Sequence, residues 1–123
     1  MSPLKTIASL DIKRLEILDI DGSVDKTLLP KVSEKLLLEM YRLMFQIRRF
    51  DERAVLLQRS GRLGTYPMIT GQEATQCVPP LCLKPTDWVV PTYRGGGVYF
   101  ARGMQMRYAL LYWGGDDRGT QFP

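Results

Sequence analysis

The sequence predicts a helix-rich α/β chain with few short strands, and three observations carry that expectation. Apolar residues step by three and four over more than twenty positions from Leu36 to Leu57. A short apolar run, Trp88-Val89-Val90, is stopped by Pro91. Beyond it, two further helical stretches are each closed by glycine.

Residues 1–32 read as an extended arm. The stretch I-K-R-L-E-I-L followed by D-I-D-G-S-V alternates and then stops at an Asp-Gly turn, the pattern of a short segment folding back on itself. Asp19, Asp21 and Asp25 are spaced as if for calcium, but Val24 stands where a calcium loop needs glycine, and no bidentate glutamate follows in register. A turn is the better reading.

Ser33 offers an N-cap, and the longest regular element starts there. Leu36, Met40, Leu43, Ile47, Phe50, Ala54 and Leu57 form one stripe, widened by Leu37, Tyr41 and Met44, so the first half is expected to be the more buried. Arg48, Arg49, Asp51, Glu52 and Arg53 are placed on the other faces, and Gly61 is the natural left-handed stop. Such a seam serves a core or a subunit contact.

Gly71-Gln72-Glu73-Ala74 reads as a helix start, with Glu73 near the positive end of the dipole. Pro79 and Pro80 fall inside that helix, where an interior proline costs about 3 kcal/mol, so the helix is either short or restarts at the pair. Trp88 to Val90 is expected to be a short buried strand, followed by the loop Gly95–Gly97. Val98 to Arg102 reads as a helical turn or two broken by Gly103, Gln105 to Trp113 as a helix ended by Gly114, and the tail as polar and turn-like.

The chain has 123 residues, 45% apolar and 24% charged, ordinary for one small domain. Its net charge of +4 is interleaved with acids rather than massed in a block, so a nucleic-acid partner is not expected. Cys77 and Cys82 fit no common zinc or redox spacing and are expected to be buried free thiols in a reducing cytoplasm. No apolar run reaches membrane-spanning length and no signal-peptide core is present, so a soluble cytoplasmic chain is expected. There is no histidine, which excludes Ser-His-Asp and Cys-His nucleophile systems and most zinc sites. Any acid–base chemistry must come from a cofactor, another chain or a missing segment, so no catalytic residue and no metal ligand is assigned. Neither standard nucleotide loop is complete: Phe100 stands where a third glycine is needed, and no Walker-type lysine follows.

Tyr93-Arg94 at the end of the Trp88 run, entering a glycine loop, sets a phenol and a guanidinium beside unshielded backbone, which suits an anion such as phosphate. From the dipeptide alone, a strand-end aromatic and a solvated charge is the commoner outcome. The surrounding string shifts that balance.

Taken in order, R-R-F-D-E-R, G-R-L-G-T-Y, T-G-Q-E-A, L-K-P-T-D-W-V-V-P-T-Y-R, A-R-G and the G-T-Q-F-P tail resemble the alpha subunit of the decarboxylating dehydrogenase component of 2-oxo acid dehydrogenase complexes. Pyruvate dehydrogenase is the best match and branched-chain 2-oxo acid dehydrogenase a close relative; the resemblance runs from about Asp11 to the end. It implies an amino-terminal part of a thiamin-diphosphate-binding fold with an incomplete parallel sheet, residues 33–123 being the partial cofactor-binding domain. It implies thiamin diphosphate with magnesium at an interface with a beta subunit in a heterotetramer, a 2-oxo acid substrate, and acyl transfer to a lipoyl-bearing transacylase. It further implies that Tyr93 and Arg94 contact the diphosphate and that Tyr66 lies on the substrate side of the pocket, whereas Gln72 and Glu73 are a structural signature.

The departures from the family are specific. Its Gly-Asp-Gly…Asn magnesium motif is absent, Gly115-Asp116-Asp117 lacking the second glycine and the partner Asn. Relatives carry histidine where Gly96 or Pro67 stands here, and small helix formers where Pro79 and Pro80 stand. An amino-terminal piece is therefore expected, as a truncated product, half of a split gene or a gene remnant, inactive as a decarboxylase alone. Two alternatives remain: a non-catalytic module docking on a beta subunit through the Leu36–Leu57 helix, and a branched-chain enzyme subunit.

Overall fold

The computed structural model describes residues 4–121. The first three residues of the expected arm, and the Phe122-Pro123 end of the tail, lie outside the described residues. The chain divides into two compact units at Val32/Ser33.

In the first unit an Asp-Gly turn does fold the chain back. Leu18 and Val24 form an antiparallel bridge, and Gly22 takes the left-handed φ of 86° that the turn requires. The aspartates serve this turn: Asp21 accepts from the Ser23 amide at 2.8 Å, and Asp25 accepts from the Thr27 amide and hydroxyl at 2.8 and 2.6 Å. Every described residue of this unit except Ile17 is exposed, Leu4, Ile7, Leu10 and Ile12 included.

The second unit is helical. α1 spans Glu34–Arg59, α2 Glu73–Cys82, α3 Gly96–Ala101 and α4 Met106–Trp113, and a single 3-10 turn covers Asp117–Thr120. Ser33 caps α1, its hydroxyl accepting from the Leu36 amide at 3.2 Å. Three helices end in the same Schellman closure. After α1 the Gly61 and Arg62 amides reach the Gln58 and Leu57 carbonyls; Gly103 and Met104 do the same after α3, and Gly115 and Asp116 after α4. The left-handed residue after α4 is thus Gly115, one position beyond the expected stop at Gly114.

The core draws Ile47, Phe50 and Ala54 from α1, Tyr66 and Ile69 from the connection to α2, then Cys77, Phe100 and Ala109 from the later helices. Aromatic edges lock it together, with Phe100 5.0 Å and Tyr66 6.2 Å from Phe50, both T-shaped.

Four expectations are corrected here. Among the described residues there is no strand, so neither short strands nor an incomplete parallel sheet is seen. Trp88 and Val90 are 94% and 91% exposed. A parallel strand needs a neighbour to complete its ladder and helices to cover both faces, and the described residues supply neither. The buried half of α1 is its second half, around Ile47 to Ala54, because α2 and α3 pack there; Leu37 and Tyr41, which widen the stripe, are exposed with Leu38 and Phe45. α2 runs through Pro79 and Pro80 without a break, two missing amide donors notwithstanding. Cys77 is buried, but Cys82, the last residue of α2, is exposed; both thiols are free. No helix among the described residues is long and apolar enough to cross a membrane.

Candidate functional site

Asp51 organises the region around the expected site residues. It projects from α1 into the core with 0% exposure and accepts four hydrogen bonds. The Tyr66 hydroxyl donates to it at 2.8 Å, the Ile69 and Thr70 amides at 2.9 Å each, and the Thr70 hydroxyl donates as well. The Tyr66–Thr70 connection is thereby fastened to α1 through one carboxylate. A carboxylate in that position belongs to the core, which corrects the expectation that Asp51 lies on a face of α1 away from the apolar stripe.

Next to it, Glu73 opens α2 almost fully buried, at 5% exposure, paired with Arg48 of α1 at 2.5 Å and accepting from the Gly71 amide at 3.0 Å. The Arg48 hydrogen bond holds this carboxyl below its ordinary value. A lowered carboxyl contributes stability that is full above the unfolded-state value of about 4.3 and is lost as pH falls through the folded one. Urea unfolding should therefore show a loss of stability below about pH 4.3 that is shallower in Glu73→Gln; identical slopes in the two proteins would contradict this.

The Tyr93-Arg94 pair sits at a corner. The Gly95 amide bonds the Thr92 carbonyl at 2.8 Å, so Tyr93 and Arg94 are the two central residues of a tight turn rather than the end of a strand. Tyr93 is 76% exposed, and the Arg94 guanidinium carbon lies 5.6 Å from its ring centroid. Arg94 Nη1 also reaches the Met68 carbonyl at 3.4 Å, which brings this corner to the connection that Asp51 holds.

Behind the corner lies a cavity of about 300 Å³ lined by Tyr93, Tyr66, Ile69, Phe100, Tyr112 and Trp113 among others, at the small end of ligand pockets. The structure thus brings Tyr66 and Tyr93 to one chamber and Arg94 beside it. The Tyr66 hydroxyl is committed to Asp51, and burial together with that bond pushes the phenol far above its ordinary value, so it remains a donor.

The glycine loop is packed, not unshielded. Gly96 and Gly97 begin α3, and Gly95 and Gly97 are buried. A Cβ at Gly95 would stand 2.5 Å from the Pro91 Cβ, and one at Gly97 2.8 Å from the Gln76 Cβ. Gln76 fills this space: its amide donates to the Arg94 carbonyl at 3.0 Å, and its oxygen accepts from the Gly97 amide at 2.9 Å. Burial pushes the neighbouring Cys77 thiol up to about 11, with Glu73 adding to the shift, so it stays protonated at neutral pH.

Two residues of this site escape a reading of the sequence, Asp51 and Gln76. Asp51 follows Ile47 by four and precedes Ala54 by three, a position on the apolar stripe itself, which is the signal that marks it. Gln76 carries no such mark, since the groups it joins lie 18 and 21 residues further along.

A family model described as "Dehydrogenase E1 component" matches residues 41–121 of the chain. The pyruvate dehydrogenase E1 component subunit alpha of Staphylococcus epidermidis is 36% identical over 110 residues, covering 89% of this chain and 30% of that relative. Its counterpart from Staphylococcus aureus is 34% identical over 110 residues with the same coverage. The chain spans about 30% of the length of these curated relatives.

Proposed function

The chain belongs to the dehydrogenase E1 component family, and from that premise we propose that it acts as the amino-terminal part of an alpha subunit in a thiamin-diphosphate-dependent 2-oxo acid dehydrogenase, with pyruvate as substrate. In this reading Tyr93 and Arg94 grip the cofactor's diphosphate, Tyr66 borders the substrate side, and a beta subunit completes the site. The acyl product passes to a lipoyl-bearing transacylase.

The observation that carries the proposal is the Tyr93-Arg94 corner: a guanidinium stacked on a phenol, both exposed, beside an aromatic-lined chamber. An arginine fork with an adjacent hydroxyl donor suits phosphate oxygens, so the donor set fits that part of the cofactor. Magnesium does not fit this chain alone, since the described residues hold no group of three or more carboxylate, thiol or imidazole ligands. Thiamin diphosphate, when bound, supplies the electron sink for decarboxylation. This chain's part is to bind and orient: Arg94 and Tyr93 fix the anionic end, Asp51 and Gln76 hold the two segments that carry the pocket, and the aromatic wall excludes water.

A charge-assisted hydrogen bond is worth about 1.5–3 kcal/mol, so Arg94→Ala should weaken thiamin diphosphate binding about 10- to 100-fold in the assembly with a beta subunit. Calorimetry reads this directly, and unchanged affinity would sink the proposal. A second reading, docking without chemistry, draws on the exposed face of α1 formed by Leu37, Leu38, Tyr41 and Phe45. It is favoured if the assembly forms through that face while cofactor affinity ignores Arg94.

A further inference from the structure

We infer that Gln76 is a positioning residue that sets the conformation of the Tyr93-Arg94 corner, an inference that rests on the diphosphate reading of that corner. Gln76 lies on α2 with only 8% of its surface exposed. Its carboxamide makes three hydrogen bonds: Nε2 donates to the Arg94 carbonyl and to Gln72 Oε1, both at 3.0 Å, and Oε1 accepts from the Gly97 amide at 2.9 Å.

The two backbone partners leave no freedom in the amide's orientation. The Arg94 carbonyl can only accept and the Gly97 amide can only donate, so one end of the side chain must give a proton and the other must receive one. Among side chains of this length, glutamine alone supplies both. Ionised glutamate has no donor, and methionine, of similar shape, forms neither bond.

The arrangement acts on Arg94 because little else does. Its side-chain bond to Met68 is 3.4 Å long, beyond the usual range of about 2.7–3.2 Å, and the stacking on Tyr93 is local to the same turn. What places the Arg94 backbone is the Thr92–Gly95 turn on one side and Gln76 on the other. Glycine at position 97 is what lets Gln76 come so close, since a Cβ there would meet Gln76 Oε1 at 2.9 Å.

The test is an NMR titration of the full chain with inorganic pyrophosphate, following the Arg94 Nε–H and Gly97 amide resonances. The unmodified chain should show saturable shifts at both. Gln76→Met should bind about tenfold more weakly, with its Arg94 Nε–H resonance moved toward that of free arginine. The Gln76→Met/Arg94→Ala double variant should bind no more weakly than Arg94→Ala alone, because Gln76 acts through Arg94. Wild-type affinity in Gln76→Met, or losses that add in the double variant, would overturn the inference while leaving the diphosphate reading standing. If Arg94→Ala binds pyrophosphate as the unmodified chain does, the diphosphate reading fails and this inference fails with it. Hydrogen exchange needs no variant: the Gly97 amide should be protected like the interior of a helix, and unprotected exchange there would also overturn it.

Discussion

Asp51→Ala should cost the second unit about 3–6 kcal/mol of stability, enough to leave much of it unfolded at 37 °C. The carboxylate is fully buried and is the common acceptor for the Tyr66 hydroxyl and the Ile69 and Thr70 amides. Removing it strands two or three donors at about 1–3 kcal/mol each. The opposing gain from alanine's helix propensity is at most about 0.7 kcal/mol, so the loss dominates. A small domain keeps a margin of only about 5–15 kcal/mol, and the melting temperature should fall by more than about 15 °C. Asp51→Asn keeps one acceptor oxygen but turns an NH2 toward donors, so it should fall between the two. A change of under about 0.5 kcal/mol in Asp51→Ala, the scale of an ordinary surface substitution, would show that the carboxylate does not organise this region.

Gly119→Ala should be nearly as damaging, for a steric reason. Gly119 is buried where the 3-10 turn lies against α4, and a Cβ there would stand 2.1 Å from the Tyr112 nitrogen and 2.5 Å from its Cα. Those are backbone atoms of a helix and cannot rotate aside, so the whole Asp117–Thr120 turn must lift. The expected cost is about 3 kcal/mol, at the upper end for overpacking, with a changed environment for Trp113 beside it. Gly103→Ala is the control: its φ of 97° strains alanine, but its Cβ meets open space, so it should cost about 1 kcal/mol. Denaturant midpoints and tryptophan fluorescence separate the two. Equal effects at both glycines would mean the turn is not packed on α4.

Features set by neighbours in the sequence were legible without coordinates. The reach of α1, its Ser33 cap and the glycine stops at Gly61 and Gly103 follow from period and turn chemistry, which act over a few residues. Burial was less legible, because it depends on what else is present to pack. Trp88-Val89-Val90 has a strand's composition, yet Trp88 and Val90 lie exposed and Val89 is only half-buried, and the apolar widening at Leu37 and Tyr41 faces outward. Both errors came from equating an apolar residue with a buried one. Asp51 is the converse case, a charged residue expected away from the apolar stripe whose spacing puts it on that stripe and in the core.

The pairing of Tyr93 with Arg94 was legible from their adjacency, and the two side chains lie together and exposed; the groups that support the corner were not legible. That the corner is a turn, and that its glycines serve close packing with Ile69 and Gln76 rather than flexibility, depends on contacts over some twenty residues or more.

The claim on which the functional account depends is that this corner holds a diphosphate. A crystal structure of the chain assembled with a beta subunit and thiamin diphosphate tests it most directly. The account predicts the Arg94 guanidinium and the Tyr93 hydroxyl within about 2.7–3.2 Å of phosphate oxygens, with the Gln76 bonds to Arg94 and Gly97 intact. A bound cofactor whose diphosphate is held by other residues, with Arg94 turned to solvent, would contradict it.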